Sequence, residues 1–436
     1  MRGYRWTVVG LMFVITVINY IDRSAIAYAI GPLQRLLHLD PAQVGLVLGA
    51  FGAGYTVTTF FGGIWVDRQG PRRVWSLSAL VWSLSVAGTA LAAGFAWLWG
   101  VRALLGLAEG PNFPSMNRVV GDWLAPRERA IALGWGLVGV PFALMIGAPL
   151  VSQLVVRVGW RAMFLILGAL GLLWLPFWLA GMRDVPEEHP RVSRTELLHI
   201  RAGEPPEVSS RTRRARQLAE AGSPWRQLLT NPTLLANDWA FFVFGYLLFF
   251  FLGWLPTYLG TQYHLNLGRV GLFASLPWLF ATVLLAATGY LSDLVLKRTG
   301  NLRYARSYPI WISLLLSGLS LLPVILVHRL EVAVLGISLA VGFGMAANSA
   351  YYAVNVDLAP SRTGTALGVM DTFFAVAGFV APSVTGFLVQ ASGGFQGAFL
   401  LLGALLLSAV LAVLVFHHPE RTPAAAAAAR PLEEGV

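Results

Sequence analysis

The chain has 436 residues, 56% hydrophobic and only 12% charged, with a mean hydropathy of +0.66. That charged share is about half of what a soluble domain carries, which points to a polytopic membrane protein rather than one large soluble core. Cys is absent, excluding disulfides, thiol nucleophiles and Cys-ligated metal, and the seven His (His38, His189, His199, His264, His328, His417 and His418) fall in or beside predicted loops without metal-ligand spacing.

Apolar runs long enough to cross a bilayer, which takes about 20 residues, are predicted as helices over 6–30, 43–66, 74–94, 95–117, 130–153 and 160–182. Six more follow, over 233–259, 269–292, 307–327, 331–356, 363–390 and 395–417. Only Arg2 and Arg5 precede the first run, and no small-residue cleavage site follows it, so it reads as a retained span rather than a cleaved signal peptide. Connections such as Ala93-Gly94 are so short that neighbouring spans must be antiparallel hairpins. The polar stretch from Arg183 to Asn231 mixes Arg with Glu and Pro, as a solvated linker does. The expected organisation is a six-helix bundle over 1–182, a central loop over 183–232, a second six-helix bundle over 233–418 and a disordered tail over 419–436 with six consecutive Ala.

With the N-terminus in the cytoplasm, cytoplasmic segments hold 24 Lys and Arg, and opposite-side segments hold five: Arg35, Arg157, Arg161, Arg269 and Arg329. This asymmetry predicts both termini on the cytoplasmic side. The net charge of +10 then reflects topology and the anionic inner leaflet, and nucleic acid is not an expected partner.

Five ionisable residues sit well inside the predicted spans: Asp22, Arg23, Arg102, Glu109 and Asp371. A charge near mid-membrane costs at least about 2.5–3.5 kcal/mol, so it usually faces a water-filled cavity or a partner. Arg102 and Glu109 are two helical turns apart and share a face, about 10 Å apart along the axis, which Asn112 continues. A structural ion pair holding the helix to a neighbour is the plainer reading of this stretch. Asp22 and Arg23 diverge by about 100° on a helix, with Asn19 one turn before them. Arg23 is expected to point into the cavity and anchor a carboxylate by its planar donor fork, while Asp22 leans towards Arg102 or Glu109. A buried acid raised by desolvation and lowered by a nearby Arg can take up and release a proton. Three acids against two arginines suit the movement of an anion with protons.

In the second half, Asn348, Tyr351, Tyr352 and Asn355 form one helical stripe, facing either a substrate or a neighbouring helix. Tyr246 and Trp254 either line the same cavity or pack. An internal repeat joins the halves: Gly63-Ile64-Trp65-Val66-Asp67-Arg68-Gln69-Gly70-Pro71-Arg72-Arg73 has its counterpart in Gly289-Tyr290-Leu291-Ser292-Asp293 with Lys297 and Arg298. Parallel repeats of this kind place a substrate site near the midplane, between the halves.

The first of these stretches matches every fixed position of the loop signature of the major facilitator superfamily, G-x-x-x-D-[RK]-x-G-x-[RK]-[RK]. The resemblance implies an all-α membrane protein of twelve transmembrane helices in two pseudo-symmetric six-helix bundles. It implies a cytoplasmic gate at Gly63, Asp67, Arg68, Gly70, Arg72 and Arg73, with Asp293 in the second half. In such a gate the Asp meets helix ends and basic residues of the other half. More narrowly, Asn19-Tyr20-Ile21-Asp22-Arg23, Arg102 with Glu109-Gly110-Pro111-Asn112-Phe113-Pro114, Trp254-Leu255-Pro256-Thr257-Tyr258-Leu259 and Phe273-Ala274-Ser275-Leu276-Pro277 look like the anion:cation symporter family. That family includes bacterial permeases for sugar acids and for aromatic or dicarboxylic acids. The resemblance implies Arg23 for substrate, Asp22 and Glu109 as proton sites and Arg102 as the partner that tunes them. Two departures stand out. Asp371 replaces the usual Asn, and an acid there repels a carboxylate unless protonated or paired. Gly139-Val140-Pro141 replaces a polar residue common in sugar-acid members.

The leading expectation is proton-coupled uptake of an organic anion across a bacterial inner membrane by a monomer, with protons as the coupling ion and no cofactor. Exchange or uniport on the same fold is the first alternative, and a solute-sensing receptor signalling through the central loop the second. An enzyme is not expected: no nucleotide loop, metal cluster or Ser/His/Asp arrangement is found in the sequence.

Overall fold

The computed structural model describes residues 3–202, 229–359 and 363–419, and among them regular structure is helical throughout. The long helices are α1 (Arg5–Leu37), α2 (Pro41–Gln69), α3 (Pro71–Thr89), α4 (Phe95–Glu109), α5 (Asn112–Trp123) and α6 (Pro126–Gly181). A short α7 (Arg194–Ile200) lies in the central segment. Then come α8 (Pro232–Gln262), α9 (Leu267–Thr299), α10 (Tyr308–Leu326), α11 (Leu330–Ala346), α12 (Asn348–Leu358), α13 (Thr363–Ser392) and α14 (Gln396–Phe416). Their starts follow local chemistry. Asp40 forms a capping box with Gln43 ahead of Pro41, and Asn231 and Asn266 cap α8 and α9. Among the described residues eight helices are long and apolar enough to cross a membrane, nine if α2, bent by 52°, counts as one. The protein is a multi-pass membrane protein.

Four predicted spans are joined or interrupted in the structure. The spans at 130–153 and 160–182 join into α6, whose 56 residues run through Gly159 at φ 81°, ψ 161°. Straight, it would reach about 84 Å, nearly three hydrocarbon cores. Instead both its ends meet the start of α1: Glu128 pairs with Arg5 at 2.8 Å, and the Gly181 carbonyl accepts from the Tyr4 hydroxyl at 3.0 Å. The element is therefore a hairpin that reverses at Gly159, where the positive φ favours glycine. The predicted span 95–117 is interrupted between α4 and α5 at Gly110-Pro111, and the predicted span 331–356 is met by one apolar span, Leu330–Leu358, interrupted only at Ala347 between α11 and α12. The two breaks occupy corresponding places in the two halves, and place Asn112 and Asn348 at the starts of short helices.

The halves interlock at one end. Along α2, Gly45 lies against Pro382 and Gly386 of α13, Gly49 against Phe379 and Ser383, and Gly52 against Gly378. A Cβ on Gly45 would stand 2.6 Å from the Pro382 carbonyl oxygen and 2.9 Å from Gly386 Cα. Ala42 N–H donates across the same seam to Gln390 Oε1 at 3.1 Å. On the other flank, Gly271 of α9 meets Ser152 and the Ala148 carbonyl of α6. Small residues allow this close approach of backbones.

At the other end, which carries the starts of α1 and α8, the halves part. A Cβ on Gly63 or Gly368 would meet nothing within 4 Å. The ion pairs there among the described residues stay within one half and its flanking segment: Arg5 with Glu128 and Glu196, Arg118 with Asp67 and Asp122, Arg306 with Asp357. The central segment docks on the first half. Glu196 accepts from the Tyr4 and Arg5 backbone N–H groups at 3.0 Å each, and Asp184 accepts from Arg72 N–H at 2.9 Å. The result is a two-part bundle closed at one end and open at the end bearing the central segment.

The glycine seam predicts that Gly45→Leu wedges α2 from α13 and disfavours the closed arrangement. The measurement is the distance between spin labels on Cys introduced at Asp40 and Ser392, which should lengthen relative to the Gly45 parent. An unchanged distribution would mean that the seam does not control closure.

Candidate functional site

Where α1, α2 and α4 cross, the charged residues collect. Gly106 of α4 abuts the Phe51 carbonyl of α2, and Gly54 of α2 abuts the Ala103 carbonyl of α4, so these helices touch backbone to backbone. This contact sets Phe51 between two arginines. The Arg23 guanidinium carbon lies 4.4 Å from the Phe51 ring centre, and that of Arg102 lies 5.4 Å from it. Arg23 also stands over Tyr20 at 4.5 Å and Tyr55 at 5.0 Å. These rings supply cation–π attraction where water is excluded.

Glu109, the last residue of α4, binds Arg23. Its Oε2 accepts from Arg23 Nη2 at 2.7 Å and from Nε at 3.1 Å, and the two side chains are 0% and 1% exposed. Asn19 Oδ1 accepts from the same Nη2 at 3.4 Å. Arg102, 4% exposed, has no hydrogen bond or ion pair among the described residues. Among the described residues, Arg23 Nη1 and Glu109 Oε1 have no hydrogen-bond partner, nor has either oxygen of Asp22, itself 1% exposed. The anticipated pairing of Arg102 with an acid is thus replaced by an Arg23–Glu109 pair with Arg102 beside it. Two guanidinium groups face one engaged carboxylate, and a buried unpaired cation is costly unless an anion joins it.

This cluster borders the interface between the halves. Arg23, Arg102 and Phe51 share a cavity with Phe249, Leu252 and Pro382, and its volume of about 10 Å³ holds about one water. Asn112 contributes less directly: its Oδ1 accepts from Trp75 Nε1 at 2.9 Å, tying α5 to α3.

The second half divides the predicted stripe. Tyr352 donates to Asp371 Oδ1 at 3.2 Å. Tyr351 turns inward, 0% exposed, with its ring 5.2 Å from that of Phe241. Asn355 Nδ2 donates to the Tyr351 carbonyl at 3.0 Å and lies 3.1 Å from Met370 Sδ. Asn348 and Tyr246 are buried, the latter with its ring 6.5 Å from Phe242. Trp254 Nε1 donates to the Pro382 carbonyl at 3.1 Å. Of these residues, Tyr352 and Asp371 form the polar pair, and Tyr351 and Asn355 are packed within their own half. The count of five intramembrane charges also omitted Asp238, which lies inside α8 and is 3% exposed. The signal was present, an acid within the apolar run 233–259, but its nearness to the run's polar start disguised it.

In the loop signature, Gly70 has φ 86° and joins α2 to α3, with Asp184 where a Cβ would go. Arg72 donates to the Leu179 carbonyl at 2.8 Å, and Arg68 and Arg73 are exposed. Asp67 meets Arg118 at 3.5 Å. This partner belongs to its own half rather than to the other one, because the halves are parted at this end. The Asp293 side chain lies outside the described residues.

Apolar helices in two halves, closed at one end over buried arginines and an acid, define a membrane transporter. Residues 12–303 and 299–435 match the model of the Major Facilitator Superfamily, and the chain belongs to that family. It is 32% identical over 415 residues to a hexuronate transporter of Bacillus subtilis, covering 94% of each chain. It is 34% identical over 416 residues to a probable sulfoacetate transporter of Cupriavidus necator, covering 95% of this chain and 94% of the relative. It is 33% identical over 427 residues to a probable galactarate/D-glucarate transporter of Bacillus subtilis, covering 95% and 92%. In fold it resembles a bacterial homologue of the human lysosomal transporter Spinster, in an inward-facing unoccupied conformation, with a TM-score of 0.78, 18% identity, and coverage of 97% and 100%.

The Arg23–Glu109 pair makes a stability prediction. Arg23→Ala leaves Glu109 buried beside one fewer cation and should cost about 3–5 kcal/mol. Adding Glu109→Gln should recover much of that loss. Thermal unfolding of the single and double variants in detergent measures the cycle, and additive losses would show that the two groups do not support each other.

Proposed function

We propose that this transporter carries an organic anion of the sugar-acid or related carboxylate class, taking it up with protons by alternating access. The observation that carries the reading is the buried Arg23–Glu109 pair, with Arg102 beside it unpaired among the described residues. A proton on Glu109 removes the counterion of Arg23, and the cavity then presents two guanidinium groups to a carboxylate. Loss of the proton lets Glu109 reclaim Arg23 and displaces the anion. One proton and one monoanion enter together and leave the charge of the site unchanged, which is the condition for passing through a low-dielectric bundle. Asp22, with both oxygens unpartnered, is the second proton site, and Arg102 holds the substrate while tuning Glu109. Asn19, Asn112, Tyr246, Asn348, Tyr351, Tyr352, Asn355 and Asp371 complete the proposed substrate and supporting shell, with Tyr352 and Asp371 nearest to reading hydroxyl groups.

The Lys and Arg asymmetry supports twelve crossings in two six-helix halves, with both termini and the open end on the cytoplasmic side of a bacterial inner membrane. The loop around Asp67 would close that end in the opposite phase of the cycle. The hexuronate, galactarate/D-glucarate and sulfoacetate relatives support an anionic substrate with one or two acid groups. A monomer suffices for this cycle.

The test is uptake into proteoliposomes of D-glucuronate, D-glucarate and sulfoacetate under an inward proton gradient. With one proton per monoanion, a gradient of one pH unit supports about tenfold accumulation. Glu109→Gln should abolish that accumulation and keep counterflow. Accumulation indifferent to the gradient would instead favour exchange or uniport.

Asp371→Asn removes the carboxylate that accepts from Tyr352 in the proposed substrate shell. Its repulsion of an anion is about 1 kcal/mol, so KM should fall roughly fivefold, most at high pH where the acid is ionised. An unchanged substrate range and pH profile would refute a role for Asp371 in the site.

A further inference from the structure

A second, larger cavity lies at the closed end of the bundle. Its volume is about 270 Å³, and both halves line it: Gln34 from α1 faces Trp254, Thr257, Thr261 and Gln262 of α8. None of its lining residues is charged. Its position relates directly to the charged cluster. On α2 the central cavity is bordered by Leu48 and this one by Val44, a turn closer to the closed end. On α8 the border passes between Gly253 and Trp254. The hydrogen bond from Trp254 to the Pro382 carbonyl is part of the partition, since Pro382 lines the central cavity. The two spaces are therefore stacked along one path.

The lining chemistry differs between them. The central site offers guanidinium groups, which suit a carboxylate. The outer one offers two amides, two hydroxyls and an aromatic surface, which suit neutral hydroxyl groups on a carbon skeleton. The Thr257 Oγ1 atom is buried without a hydrogen-bond partner, a group that a ligand hydroxyl would satisfy. The volume lies just below the roughly 300 Å³ at which drug-sized pockets begin, which suits a compact ligand.

The geometry points to an outer docking site that recognises the polyhydroxyl portion of the substrate before the arginines engage its carboxylate. This deepens the transport reading and rests on it for the orientation of the closed end. Substrates would be sorted twice, first by hydroxyls and then by charge.

The chain contains no Cys, so a single introduced Cys reports without background. Thr261→Cys, at the exposed rim of the cavity, is labelled in right-side-out vesicles by a membrane-impermeant maleimide. The probes are D-glucuronate, D-glucitol, which has hydroxyls and no acid, and succinate, which has acids and no hydroxyls. D-Glucuronate and D-glucitol should slow labelling about threefold at twice their dissociation constants. Succinate should not. The protection should vanish when Thr257→Val is added and persist when Arg102→Ala is added. Equal protection by succinate, no protection by D-glucitol, protection that survives Thr257→Val, or labelling only from the face bearing the termini would overturn the proposal. Absence of sugar-acid uptake alongside intact D-glucitol protection would remove the transport reading and leave this site standing.

Discussion

The buried contact between Arg23 and Glu109 is the constraint around which the first half is arranged. Glu109 ends α4, where the helix dipole already places partial negative charge and is least favourable to a carboxylate. Arg23 offsets that cost with two donors, and Phe51, Tyr20 and Tyr55 surround its guanidinium with ring faces. Holding this arrangement needs α2 and α4 in direct backbone contact, which Gly54 and Gly106 provide. A larger residue at either glycine would move Phe51 away from the arginines, and the charges would lose both their spacing and their shielding.

The pair is incomplete by design of its parts. Arg102 adds a second cation without a second engaged acid, and Asp22 adds an acid without a hydrogen-bonding partner. Such groups are expensive in a membrane interior, and their cost is offset only when an anion or a proton arrives. In the proposed cycle, the same imbalance that weakens the empty bundle favours the binding of a charged solute.

Closure and opening are divided between the two ends by different chemistry. At the closed end, glycines let α2 and α13 approach until backbone meets backbone, and Ala42 bonds to Gln390. At the open end, the ion pairs among the described residues lie within one half, as those of Asp67 with Arg118 and of Arg306 with Asp357 do. A seam of small residues has few side-chain rotamers to lose, and charges with local partners are not left bare when the halves separate. Breaks at Gly110-Pro111 and Ala347 interrupt corresponding helices beside this interface. The first ends α4 at Glu109 itself and begins α5 at Asn112.

Composition and apolar run length were enough to make this a multi-pass helical protein, because a bilayer demands uninterrupted apolar stretches of set length. The loop signature around Asp67 and the charged motifs of α1 and α4 were legible because charges inside such stretches are rare. Which charge meets which was not. Arg23 and Glu109 are 86 residues apart, and only the crossing of α1 with α4 decided that they pair and that Arg102 has no ion pair among the described residues. The same is true of the stripe in α12, whose members share a periodicity yet divide between Asp371 and the Phe241 cluster. The pivot of the α6 hairpin at Gly159 and the glycine seam were hidden for a related reason. A glycine gives no sign in sequence of whether it bends a chain, admits a neighbour or does neither. That depends on what the tertiary fold brings against it.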